Sequence, residues 1–237
     1  MLKTEVSIPE LVGGGYGKFW DCTKRYRVCK GSRASKKSKT AALNFIVRLM
    51  QMPEANLLVV RKVANTLRDS CWADLQWATY RLKVNHLWDF TKSPLGAVYK
   101  PTGQLILFRG MDEPDKMASV TVPKGYLCWV WIEEAYEIED ESDFDKLDDT
   151  IRGNLPDGYF HQLTLTFNPW SSSSWIKRRF FDMESEDVLS MTTNYMCNEW
   201  LSEGDLKRFE EMKIRNPSRY KVAGLGRNYP IAEYKPI

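Results

Sequence analysis

Apolar residues recur along this chain in two rhythms. Short β-branched or alternating runs read as strands at "RYRVCK" (25–30), "ANLLVVRK" (55–62), "GYLCWVWIEEA" (125–135) and "HQLTLTFNP" (161–169). Apolar positions at three- and four-residue spacing predict helices at "SKTAALNFIVRLMQM" (38–52), "NTLRDSCWADLQWATYRLK" (65–83), "FDKLDDTIRG" (144–153), "SSSSWIKRRFFDM" (171–183) and "EGDLKRFEEMKIRN" (203–216). The run "GAVYKPTGQLILFRG" (96–110) alternates about a "PTG" turn and predicts a hairpin. The stretch 1–18, with "VGGGYG", reads as a flexible or loosely docked leader, and "PSRYKVAGLGRNYPIAEYKPI" (217–237) as a linker. Strands alternating with helices predict an α/β fold: a mostly parallel sheet with helices on both faces.

Ligands of such folds sit at the carboxyl ends of the strands. The chemistry-bearing motifs fall there. After the first strand comes "VCKGSRASKKSKTA" (28–41), close to the phosphate-loop pattern G-x-x-x-x-G-K-[ST]. That chemistry needs backbone N–H groups aimed at phosphate, a lysine to reach the β- and γ-oxygens, and a hydroxyl for magnesium. With Gly31 as the first glycine, Lys37 is the lysine and Ser38 the magnesium ligand. The other register, Lys39-Thr40, would put Arg33 in the first glycine position. Gly31, Ser32, Arg33, Ala34, Ser35, Lys36, Lys37, Ser38 and Lys39 form the candidate nucleotide loop. Lys36 stands where the second glycine belongs, and a basic loop before a helix is the competing reading.

The strand "LCWVWIEEA" releases Glu133 and Glu134 at its end. A nucleotide hydrolase needs one carboxylate for magnesium and one to polarise the attacking water, so Glu133 is the metal candidate and Glu134 the general base. Two surface glutamates opening a helix would look the same in isolation. The strand "TLTFNP" likewise ends in polar residues, where a γ-phosphate sensor would sit.

These pieces resemble, in order, the large terminase subunits of tailed bacteriophages, the ATPases of DNA-packaging motors. The segments concerned are "KGSRASKKSKT", "LLVVRKVANTLRDSCW", "KMASVT", "WVWIEEAYEI", "IRGNLPDGYFHQLTLTFNP" and "NPSRYKVAGLG", covering roughly residues 20–225. The resemblance implies a RecA-like ASCE P-loop NTPase using ATP and Mg2+. Lys37 and Ser38 would be the Walker A lysine and hydroxyl, Glu133 the Walker B acid and Glu134 the catalytic carboxylate. Thr166 and Asn168 would form the coupling motif and Arg33 the arginine within the Walker A loop. Lys36 departs from the glycine that close relatives mostly carry. Arg152 in "TIRG" is a candidate arginine finger, in cis or on a neighbour, or else a cation capping a helix end. Phe19, Trp20 and Tyr26 are candidates for packing on adenine, or core residues. Arg61, Arg68 and the patch "IKRRF" are candidates for touching DNA, or solvated cations.

The resemblance further implies double-stranded DNA, a portal protein and a small terminase subunit as partners. It implies a homo-oligomeric ring on the portal (with a monomer in isolation) and work in the host cell cytoplasm. Alternatives of the same fold are a helicase-like or repair ATPase, and a nucleotide-dependent DNA clamp without turnover. The expected organisation is a leader to residue 18, an ATPase core over 19–195, and from 196 a helical subdomain and the start of a linker. Large terminases continue into a nuclease. After Lys221 this chain carries one acid, Glu233, too few for a two-metal nuclease, so no DNA cleavage is expected of it.

Composition narrows the rest. Of 237 residues, 43% are hydrophobic and 27% charged, an ordinary globular mixture. No run of about 18 apolar residues predicts a membrane span, and no signal peptide is recognisable. Five scattered cysteines and two histidines exclude a disulfide framework and argue against a zinc site. The net charge of +3 hides an asymmetry: eleven Lys/Arg against three acids in the first fifty residues, fourteen acids against four Lys/Arg over 111–160. A basic amino-terminal end suits a polyanion, though an uneven solvated surface would give the same count.

Overall fold

The computed structural model describes residues 7–112, 120–169 and 174–228. Its centre is an eight-stranded sheet. In chain order the strands are β1 (Tyr26–Gly31), β2 (Ala55–Arg61), β3 (Trp88–Lys92), β4 (Leu95–Tyr99), β5 (Gln104–Gly110), β6 (Tyr126–Glu133), β7 (Gln162–Phe167) and β8 (Val188–Thr193). Across the sheet they run β3-β4-β5-β2-β6-β7-β1-β8. Strands β5, β2, β6, β7, β1 and β8 are parallel, and β4 is antiparallel to its neighbours. The expected hairpin is β4–β5. Strands β3 and β8 went unread in the sequence.

The period-two rule assigns the two faces. On β2, Leu57 and Val59 join one core, while Leu58 and Val60 join the other. The first core holds α3 (Lys37–Gln51) and α4 (Ala73–Arg81). The second holds α5 (Glu141–Thr150) and α6 (Trp175–Phe180). Strand β7 is mixed: Leu163 and Leu165 enter the second core, but Gln162, Thr164 and Thr166 face α3. Each of these three is fully buried and each is satisfied. Gln162 Oε1 accepts from Arg48 at 2.8 Å, Thr164 Oγ1 from Arg27 at 3.1 Å, and Thr166 Oγ1 from Trp131 Nε1 at 2.7 Å. A buried polar group is tolerated only when so paired.

Several expectations need correction. In and just after the presumed leader, α1 (Ile8–Val12) and α2 (Gly17–Asp21) dock on the first core, and Tyr16 of the leader is fully buried, as is Phe19 beyond it. Apolar residues every few positions supplied the docking face. The helix expected over 65–83 opens as a 3-10 turn and a π turn before α4 begins at Ala73. The presumed linker is packed structure as far as residue 228: after α7 (Glu203–Arg215), a short turn leads into a π segment, Tyr220–Gly224, with Val222 and Ala223 buried. Tyr195, Phe209 and Tyr220 make a small separate cluster, with the Tyr195 and Phe209 rings stacked at 4.1 Å. Residues 170–173 and 229–237, which belong to the serine run and the end of that linker, lie outside the described residues, as does the start of "KMASVT" at 116–119. No described helix is long and apolar enough to cross a membrane.

Candidate active site

β1 delivers the loop and α3 receives it. Gly31 closes β1 where a Cβ would lie 2.4 Å from Thr193 Oγ1 and 2.8 Å from Ser35 Oγ, so only glycine fits. Lys36 is the N-cap of α3 and turns left-handed at φ 59°, as does Ala34 at φ 60°. That conformation costs a non-glycine residue about 1–2 kcal/mol. Four outside groups fix the loop: Thr193 O accepts from Ser32 N at 3.0 Å, Ala223 O from Arg33 N at 3.1 Å, Asn198 Nδ2 donates to Ala34 O at 2.8 Å, and Tyr16 OH to Ser35 O at 2.5 Å. The first turn of α3 then presents N–H groups that have no carbonyl partner within the helix, as phosphate binding requires.

Lys37 is buried, and its Nζ donates to Asn168 Oδ1 at 2.6 Å. Ser38 Oγ donates to Glu133 Oε1 at 2.5 Å. Thr166 Oγ1 donates to Glu133 Oε2, and β6 pairs with β7 so that Glu133 stands opposite Thr166. Because β7 lies between β1 and β6, Thr166 and Asn168 sit between the loop and the acid. In the other register, Thr40 is buried and the Lys39 side chain turns away to Asp74.

Burial pushes the Glu133 carboxyl up to about 7. Lys37 pulls it down, Glu134 pushes it up, and the Ser38 and Thr166 hydroxyls pull it down by donating to the charged form. A cation there would hold it ionised. Ser38 and Glu133 offer hard oxygens, the donor type of Mg2+. No group of three or more His, Cys, Asp or Glu side chains that could hold a metal ion gathers among the described residues.

Glu134 follows β6 in a left-handed turn at φ 51°, which breaks the strand's alternation and lets both acids serve one cleft. Its Oε2 is buried without a hydrogen-bond partner, and so is Ser35 Oγ. The Ser35 hydroxyl has a proton to donate to a ligand oxygen, and the Glu134 carboxylate oxygen can accept one from a water.

Other candidates are placed elsewhere. The Lys39 side chain turns to α4, with Nζ 2.7 Å from Asp74 and 4.3 Å from the Trp77 ring centre, so only its backbone belongs to the loop. Arg33 is exposed and lines a cavity of about 140 Å³ with Arg208, Phe209 and Arg219. Arg152 follows α5, whose end is tied to the start of β1 by Arg25 on Asp148 O and Ile151 O at 3.1 and 3.0 Å. That is the amino-terminal end of the parallel strands, whereas the loop follows their carboxyl end. Phe19 and Tyr26 are structural: the Arg27 guanidinium lies 4.0 Å from the centre of the Phe19 ring, and Tyr26 packs on Phe144 and Phe180. Trp20 packs against the first core. Arg61 pairs with Glu137 at 3.0 Å, and Arg68 lies exposed beside Asp69. In "IKRRF" the cations are engaged: Lys177 with Asp182, Arg178 with Glu141, Arg179 with Glu141 and Asp145. Tyr16, Thr193 and Asn198, which hold the loop, carried no recognisable signal in the sequence.

Comparison with known proteins identifies the family of the chain. A family model described as phage terminase large subunit matches residues 23–227. The chain is 34% identical over 203 residues to the terminase large subunit of Bacillus phage SPP1, covering 84% of this chain and 48% of that protein. It is 29% identical over 227 residues to the PBSX phage terminase large subunit of Bacillus subtilis (strain 168), covering 88% of this chain and 50% of that protein. It therefore spans about half the length of the curated relatives it matches. In fold it is similar to the large terminase of a thermophilic bacteriophage (TM-score 0.70, 17% identity, 87% of this chain and 49% of that one). It is also similar to the large terminase ATPase domain of a Thermus phage (TM-score 0.61, 15% identity, 94% and 98%). The sheet thus has the RecA-like fold of those structures, and the chain belongs to the phage terminase large-subunit family.

Proposed function

We propose that this chain binds Mg2+-ATP at the β1–α3 loop and hydrolyses it to drive viral double-stranded DNA into a procapsid. One observation carries the reading: Ser38 Oγ and Glu133 Oε1 meet at 2.5 Å beside the buried Lys37 ammonium, all at the carboxyl edge of parallel strands. The large terminase of the thermophilic bacteriophage is known in complex with ADP and with ATP-γ-S, which supports nucleotide as the ligand.

On this reading the amides of residues 34–38 cradle the phosphates. Lys37 leaves Asn168 for the β- and γ-oxygens. Ser38 and Glu133 hold the metal ion, which when bound neutralises charge on the phosphates. Glu134 orients the attacking water and takes its proton on Oε2, the buried acceptor that no protein group engages. Asn168 regains Lys37 once the γ-phosphate leaves, so β7 registers the product state. Arg33 is the finger candidate near the loop, and Arg152 acts only across a subunit boundary.

The working form is a homo-oligomeric ring on a portal protein in the host cytoplasm, fed with DNA by a small terminase subunit. Residues 19–195 form the ATPase core and residues from 196 a helical subdomain. We assign no DNA cleavage to these 237 residues.

The test is magnesium-dependent ATP hydrolysis with Lys37→Ala and Glu134→Gln. Lys37→Ala abolishes binding. Glu134→Gln binds ATP as the parent does and loses roughly 10²–10⁴-fold in turnover, the usual worth of a positioned base. Binding without turnover in the parent, even with DNA and portal present, would leave only a nucleotide-dependent clamp.

A further inference from the structure

The residue that departs from the phosphate-loop pattern is tied down from outside the loop. Lys36 keeps its left-handed turn, yet its side chain is only 7% exposed. Its ammonium donates to Glu199 Oε2 and lies 4.5 Å from the centre of the Trp200 ring and 5.8 Å from that of Tyr16. The other Glu199 oxygen accepts from Gly14 N at 2.5 Å. One carboxylate thus joins the segment before α2, the phosphate loop and the segment after β8. Asn198, its neighbour, holds Ala34 O.

A glycine would adopt this turn without cost, and a lysine does not. Left alone, Lys36 would relax out of the left-handed region. Its N–H and that of Lys37 would then rotate away from the cradle. Lys36 would also be free to place a second ammonium among the phosphates, where Lys37 belongs.

We propose that Glu199 is a positioning residue for the nucleotide site: by clasping Lys36 and Gly14 it enforces the backbone turn that glycine supplies elsewhere, and it draws the Lys36 ammonium out of the phosphate cradle toward Trp200. The proposal rests on the nucleotide-site reading above for its functional readout, but not for its structural one.

The test is a substitution cycle on the 237-residue chain, read two ways. The first is hydrogen exchange of the amides of residues 33–38 without nucleotide. The second is the dissociation constant for Mg2+-ADP. Glu199→Ala and Lys36→Ala each speed exchange in the loop and weaken ADP binding, by about tenfold for loss of one charge-assisted contact. Their combination is no worse than either alone. In the Lys36→Gly background, Glu199→Ala changes loop exchange and affinity by less than about twofold, because glycine needs no clasp. Glu199→Asp restores part of the loss.

Equal effects of Glu199→Ala in the parent and in the Lys36→Gly background would overturn the proposal, as would unchanged loop exchange in Glu199→Ala. If the parent binds no ADP while the exchange cycle comes out as stated, the clasp stands and the nucleotide reading fails. If ADP binds and the cycle is additive, the clasp fails and the nucleotide reading stands.

Discussion

Thr166→Val isolates the polar junction under the active site. The substitution keeps shape and removes one oxygen. That oxygen accepts from Trp131 Nε1 at 2.7 Å and donates to Glu133 Oε2, and Thr166, Trp131 and Glu133 are all buried. Valine leaves the indole N–H without a partner, which costs about 1–3 kcal/mol, and deletes a hydrogen bond to a charged group worth about 1.5–3 kcal/mol. The added apolar surface offsets part of this, leaving a loss of about 2–5 kcal/mol. For a chain of this size each kcal/mol moves the melting temperature by about 2–4 °C, so a drop of at least roughly 4 °C is expected. Urea denaturation at pH 8, above the Glu133 value of about 7, measures it with the carboxylate mostly charged. Thr166→Ser keeps the hydroxyl and loses less. The Trp131→Phe change removes the donor that valine strands, so the pair should couple by about 1–2 kcal/mol. Additivity within about 0.5 kcal/mol, or a Thr166→Val loss below about 1 kcal/mol, would refute the junction.

Three further outcomes are expected. Gly226→Ala places a Cβ 2.5 Å from Thr193 O and 3.0 Å from Ser32 N at φ +67°, so it should weaken nucleotide binding and lower stability by at least about 1 kcal/mol, checked by calorimetry and ADP titration. Iodoacetamide at pH 8 should label the folded chain once, at Cys197. Cys22, Cys29, Cys71 and Cys128 are buried, and burial pushes the Cys29 thiol up to about 11 and that of Cys128 up to about 12; rapid labelling at several cysteines by mass spectrometry would contradict this. Arg179→Ala should cost roughly 1 kcal/mol of stability through lost packing on Phe144 and Phe180, and leave DNA affinity unchanged in a filter-binding assay, because its charge is spent on Glu141 and Asp145.

The parts of this molecule that one strand or helix decides were legible in the sequence. The run Leu127–Ile132 announces a buried strand, and Glu133 must then emerge at its end. Lys37 and Ser38 open an apolar-spaced helix after a strand, so their place followed from local pattern alone. What sequence could not show was decided by long-range packing. Tyr16 looked like part of a glycine-rich leader, because nothing near it reveals that its hydroxyl reaches Ser35 O. "KVAGLG" has the composition of a linker, and only the contact of Ala223 O with Arg33 N makes it part of the site. Arg152 and the "IKRRF" cations show the opposite limit: charge is visible in sequence, but the acids that pair with it and the end of the sheet it lies at are not.

The loop's dependence on distant segments has a consequence for the order in which the protein can be made. Gly14 meets Glu199 across 185 residues, and Lys30 Nζ meets Asn228 Oδ1 across 198. The ribosome delivers the Walker lysine early and its supports late. Pairing over such separations is slow because the chain must close large loops before any contact rewards it. A nascent chain that has emerged only through β7 owns Lys37, Ser38, Glu133 and Glu134 but lacks Thr193, Asn198, Glu199 and Ala223. The loop can therefore take its final shape only after β8 and the segment through Ala223 have emerged, and a product cut short after β7 carries Lys37, Ser38, Glu133 and Glu134 without the segments that hold the loop in place.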